Sequence, residues 1–154
     1  MHLSTLDRAA LRVAAALLTW SIAFAQSAAA PAATKGFDGQ WSTKLTCPEK
    51  GSTEGYTWLF ASVIQNGNFR GERGTVGEPG YFLLEGKIGD DGSAKLAASS
   101  IVASRKYARG VFAHKGEEYS YNVKAQFKET EGTGTRDAGL GIVGRVCTFD
   151  FVKK

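Results

Sequence analysis

The chain has 154 residues, two cysteines and a formal net charge of +4. That length suits one domain with one core. Its 19 Lys and Arg and 15 Asp and Glu are scattered rather than blocked, which excludes the basic stripe or patch of a nucleic-acid binder.

The first 25 residues have the three-part form of a secretory signal. Arg8 and Arg12 supply a basic start, Val13 to Ala25 is an uncharged, mainly apolar run, and Ala23-Phe24-Ala25 fits an A-x-A cleavage site. The run is shorter than the about 20 residues a membrane-spanning helix needs. Cleavage is predicted before Gln26, and no cysteine lies there to carry a lipid, so no membrane anchor is expected after processing. Residues 26–36 are Ala-rich, contain Pro31 and read as a flexible leader. The folded domain is expected over residues 37–154, periplasmic or secreted. Its charge is +3 once Asp7, Arg8 and Arg12 are removed.

Period-two alternation then recurs in nearly every segment, the mark of half-buried strands. Gln40 to Cys47 places Trp41, Thr43, Leu45 and Cys47 on one face. Tyr56 to Gln65 follows, with Tyr56, Trp58, Phe60 and Ile64 in phase. Asn66-Gly67 predicts a tight hairpin returning through Phe69 and Arg70. Gly77-Glu78-Pro79-Gly80 places Pro and Gly for a type II turn before a strand from Tyr81 to Ile88. Gly89-Asp90-Asp91-Gly92 turns that strand into Ser93 to Ser100. Residues 101–118 give no clear pattern beyond a short strand at Gly110 to Ala113. Tyr119 to Lys128 alternates cleanly, with Tyr119, Tyr121, Val123, Ala125 and Phe127 facing in. The last predicted strand is Arg145 to Val152.

The expected fold is therefore all-β, an antiparallel meander of seven to eight strands. Cys47 and Cys147 sit near its two ends, 100 residues apart, and an exported chain with two cysteines is read first as one disulfide. A metal site would need further soft ligands, and His114 is the only histidine after the signal. A disulfide brings the first and last strands together. A meander whose ends meet is a small closed barrel, and a two-sheet sandwich with adjacent terminal strands is the alternative.

Phe37-Asp38-Gly39-Gln40-Trp41 opens the first strand with G-x-W and resembles the start of calycins, the lipocalin and avidin-like barrels. That resemblance implies that Trp41 closes one end of the barrel and packs beneath an arginine of the last strand, here Arg145. The alternative makes Trp41 simply a large core residue. The run from FDGxW through a cysteine, a Gly-rich hairpin, a PG-aromatic turn and DG to a last cysteine-bearing strand is similar to a group of short exported proteobacterial proteins. It implies the same fold and address and no activity. The chain departs from that pattern at Ala138 to Gly144, which is longer and richer in glycine.

No catalytic motif survives its physical requirements. Gly139 to Gly144 spells G-x-G-x-x-G, but a dinucleotide fingerprint needs a preceding strand, a following helix and a later acid, so a hairpin loop is expected and no cofactor. His114 has no nucleophile elbow to serve and reads as a loop residue. Asp90-Asp91 and Glu117-Glu118 are sequence neighbours, so strand geometry would point each pair to opposite faces.

Two groups remain as candidates for binding. Trp58, Tyr119 and Tyr121 could line a barrel mouth and grip an apolar or aromatic ligand. Arg70, Arg73, Arg105, Lys106 and Arg109 could form an anion-binding rim. An eight-stranded barrel either fills with side chains or holds one small ligand, and the aromatic content favours a filled core. The expected protein is a monomeric, non-enzymatic envelope module that binds a small ligand or a partner protein. The alternative is an inhibitor-like periplasmic interaction domain.

Overall fold

The structure is a computed structural model that describes residues 36–107, 114–136 and 145–154. The predicted signal and residues 26–35 of the leader lie outside the described residues. So do Arg109, the Gly110–Ala113 strand and the Gly139–Gly144 loop. The chain parts into two units, Met1–Ala30 and Pro31–Lys154, and only the second holds described residues.

The described residues form eight strands in a simple up-and-down order. They are β1 (Gly39–Cys47), β2 (Tyr56–Gln65), β3 (Asn68–Arg73), β4 (Phe82–Lys87), β5 (Ser93–Ile101), β6 (Glu118–Phe127), β7 (Glu131–Arg136) and β8 (Thr148–Lys153). Each strand pairs antiparallel with the next, and β8 returns to pair with β1, so the sheet is a closed barrel and not a sandwich. Two differences from the sequence reading stand out. The last strand starts at Thr148 rather than Arg145, and β7 was not predicted.

Turn chemistry sets the register. Asn66 and Gly67 both adopt positive φ, 51° and 71°, as a two-residue hairpin requires. The Asp38 carboxylate accepts the amides of Asn66 (2.8 Å) and Gly67 (3.1 Å), so the residue before β1 fastens the β2–β3 turn. At Glu78-Pro79-Gly80-Tyr81 the amide of Tyr81 donates to the Glu78 carbonyl at 3.0 Å, with Gly80 at φ 96°. That is the expected type II geometry.

The inward faces fill the barrel. Trp41, Phe69, Phe82, Phe149 and Phe151 are each at most 1 % exposed. Rings from strands on different sides meet in the middle: Phe69 lies 5.7 Å from Phe127 and 5.3 Å from Phe151, and Phe127 lies 4.7 Å from Phe151. Room for them comes from glycines at inward positions. A Cβ on Gly71 would lie 2.8 Å from that of Ser62, and one on Gly132 would lie 3.0 Å from the Phe127 ring. The hydroxyls of Thr43 and Ser62, buried among these rings, satisfy each other at 2.7 Å.

Cys47 and Cys147 are joined, with Sγ atoms 2.07 Å apart and Cα atoms 4.3 Å apart, just past the end of the β1–β8 ladder. In the chain-entropy picture a cross-link closing a loop of about 100 residues stabilises by about 4–5 kcal/mol. Reduction, or the paired change Cys47→Ser and Cys147→Ser, is expected to lower the urea-unfolding free energy by that order. An unchanged midpoint on adding reductant would contradict the stapling role.

Candidate functional site: the aromatic and basic mouth

The two ends of the barrel are built differently. At one end Trp41 donates its indole N–H to the Phe37 carbonyl at 2.8 Å and meets the edge of Phe127 at 5.6 Å. Across the ladder its partner on β8 is Lys153, whose Nζ donates to the Gly36 carbonyl at 2.6 Å. This corrects the expected pairing of Trp41 with Arg145. Six residue steps along β1 separate Trp41 from Cys47, or about 20 Å at strand rise. Arg145, two residues from Cys147, therefore packs at the opposite end.

That opposite end is the mouth. Tyr56 and Trp58 continue the inward parity of Phe60 at the start of β2, and Tyr119 and Tyr121 continue that of Val123 at the start of β6. Antiparallel order brings both starts to the same rim. The rings join there: Tyr56 lies 4.6 Å from Trp58 and 5.7 Å from Tyr107, Trp58 lies 5.6 Å from Phe82, and Tyr119 stacks on Tyr121 at 6.1 Å. Trp58, Tyr119 and Tyr121, predicted from sequence as a group, thus share one end of the barrel.

Three guanidiniums lie on these rings. Arg145 sits 4.9 Å over Tyr56, and its guanidinium donates to the carbonyls of Pro48 (3.3 Å), Glu54 and Tyr107. Only 8 % exposed, it ties the β1–β2 loop to the 3₁₀ turn Arg105–Tyr107 and to the segment leading into Cys147. Arg73 lies 4.3 Å over Trp58 and donates to the Gly80 carbonyl at 3.3 Å. Arg136 lies 4.1 Å over Tyr121, and its backbone amide donates to the Cys147 carbonyl at 3.0 Å. None of the three forms an ion pair with a carboxylate among the described residues.

The predicted anion rim is only partly assembled. Arg73 belongs to the mouth. Lys106 sits 4.7 Å over Tyr107 but is paired with Glu54 at 3.2 Å, and Arg105 is exposed beside it. Arg70 does not belong, because it points out of the wall and is held by Glu85 (2.8 Å) and Glu72 (3.0 Å). Arg136 and Arg145 were missing from the sequence-derived rim. The first lies on the unpredicted strand, and the second was assigned to the other end.

The remaining candidates are turn formers. The His114 amide donates to the Glu117 carboxylate at 2.9 Å in an exposed turn, and Asp91 accepts the amide (2.9 Å) and hydroxyl (2.7 Å) of Ser93. Among the described residues no group of His, Cys, Asp and Glu is arranged to hold a metal ion. No protein-family model, curated protein or solved structure matches the chain.

Burial dominates the titration of the mouth phenols. It pushes Tyr56 up to about 12, helped by the neighbouring Tyr119 and opposed by Arg145 and Arg136. Burial likewise holds Tyr121 well above the ordinary tyrosine value. The folded state therefore keeps protons that unfolded tyrosine, with a value near 10, releases. Stability is expected to hold up to about pH 10 and to decline between pH 10 and 12, with a shallower decline in Tyr56→Phe. Urea midpoints across that range check this, and an identical slope in the variant would contradict it.

Proposed function

We propose that the chain is an exported, disulfide-bonded barrel, periplasmic or secreted, that acts as a non-enzymatic binding module through its mouth and outer wall. The observation that carries this reading is the filled lumen. With Phe69, Phe127 and Phe151 in mutual contact at 4.7–5.7 Å, the interior is occupied by the protein's own side chains. A carrier of the usual kind needs that volume for its cargo.

Export is supported by the basic start, apolar run and A-x-A pattern of residues 1–25, and a buried cystine is compatible with an oxidising compartment. A non-enzymatic role is in keeping with the exposed, turn-forming placement of His114. The exposed Leu59 and Val152, on the two strands flanking β1, favour a second reading. In it the domain is inhibitor-like and presents its wall to an envelope protein.

Native mass spectrometry of the protein, expressed with its own leader and purified from the periplasm, tests the proposal. The expected species begins at Gln26, lacks two hydrogens for the cystine and carries no retained molecule. A small molecule released only on denaturation would refute the lumen argument, and an intact Met1 species would refute export.

A further inference from the structure

We infer that the Arg136 side of the mouth binds a small oxyanion, the carboxylate or phosphate group of a ligand held at the rim. The inference deepens the binding-module reading above and rests on it. A guanidinium carries five N–H donors in a planar fork suited to carboxylate and phosphate oxygens. That of Arg136 is stacked 4.1 Å over Tyr121 and has neither a hydrogen bond nor an ion pair among the described residues. Its fork is thereby oriented by a ring and left with donors to offer.

Among the described residues the surroundings reinforce that charge and pair it with no carboxylate. The amide of Arg136 is bonded to the Cys147 carbonyl, two residues from Arg145. Arg145 sits over Tyr56 at 4.9 Å, and its three acceptors are neutral carbonyls, so its positive charge is solvated and not neutralised. The rings beneath these two guanidiniums are those of Tyr121 and Tyr56, and burial keeps both phenols protonated at neutral pH. Two cations around a cluster of neutral phenols, with the disulfide and Arg145 fixing the backbone beneath them, form a preorganised anion site. The filled lumen sets the size of what binds: the anionic group docks at the rim, and the rest of the ligand stays outside the barrel.

Two probes separate the sources of the oxyanion. Benzoate and inorganic phosphate are titrated separately at low ionic strength against sodium chloride as control, with binding read by calorimetry and by the fluorescence of the mouth rings. Saturable binding of one or both is expected, and the stronger identifies carboxylate or phosphate as the favoured group. Arg136→Gln is expected to weaken it at least tenfold. Arg136→Lys, which keeps the charge and the fold but loses the fork, should weaken it to an intermediate degree. Arg70→Gln, on the outer wall, should bind like the parent. Should Arg136→Gln fail to fold, the Arg136→Lys comparison carries the test. Absence of saturation by either anion, or parental affinity in the Arg136 variants, overturns the inference. With a clean unliganded mass in the native experiment, that failure would leave the binding-module reading standing. A ligand retained inside the barrel would overturn that reading instead.

Discussion

Everything in this barrel depends on the seam between its first and last strands. β1 uses one edge to pair with β2 over its full length and the other to pair with β8, from Trp41–Lys153 to Thr46–Thr148. Because the partners on that second edge lie more than 100 residues apart, the seam carries a large loop-closure cost and forms only if the whole meander is in register. The Cys47–Cys147 bond lies immediately beyond the last ladder pair and removes much of that cost from the folding equilibrium. Closure also leaves the meander no terminal edge strand to template association with another chain.

A sheet closed at eight strands encloses little more volume than its own side chains fill. Here aromatic rings take the middle, and the neighbouring strands yield by placing glycine at inward positions: Gly71 against Phe60 and Ser62, Gly132 against Phe127, Gly134 against Val123 and Ala125. The consequence for function is direct. With the lumen filled, recognition as proposed above falls to its margin, where inward-facing parity continues into Tyr56, Trp58, Tyr119 and Tyr121 and where arginines rather than further hydrophobes cover the rings. The opposite end, plugged by Trp41 and the Phe37 carbonyl, is the structural foundation.

Most of the wall was legible because burial alternates with the chain. Trp41, Thr43, Leu45 and Cys47 are all buried as their spacing implied, and β2 begins and ends at the predicted residues. β7 was illegible for a physical reason. Its inward residues are Gly132 and Gly134, so Glu131–Arg136 shows no apolar period, and the large partners that make small residues necessary lie on β6. Missing β7 hid Arg136 as well. Arg70 could have been set aside by parity, since it alternates with the buried Phe69 and Gly71 and so faces out, whereas Arg73 shares their phase. The Asp38 contact with the Asn66-Gly67 turn spans 28 residues, and no local pattern announces a cap that arrives from another strand. Which basic residue faces Trp41 depends on the β1–β8 register, a long-range pairing that the G-x-W likeness alone did not fix.

Hydrogen exchange at individual amides under native conditions tests closure most directly. If the seam is an integral part of one cooperative barrel, the ladder-bonded amides of β1 and β8, from Thr43–Phe151 to Leu45–Phe149, exchange only through global unfolding. Their protection then matches that of the β5–β6 ladder and falls with it on adding denaturant. Seam amides that exchange through a separate, low-energy opening while β5–β6 stays protected would show an open sheet merely tethered at its ends, and would contradict the account.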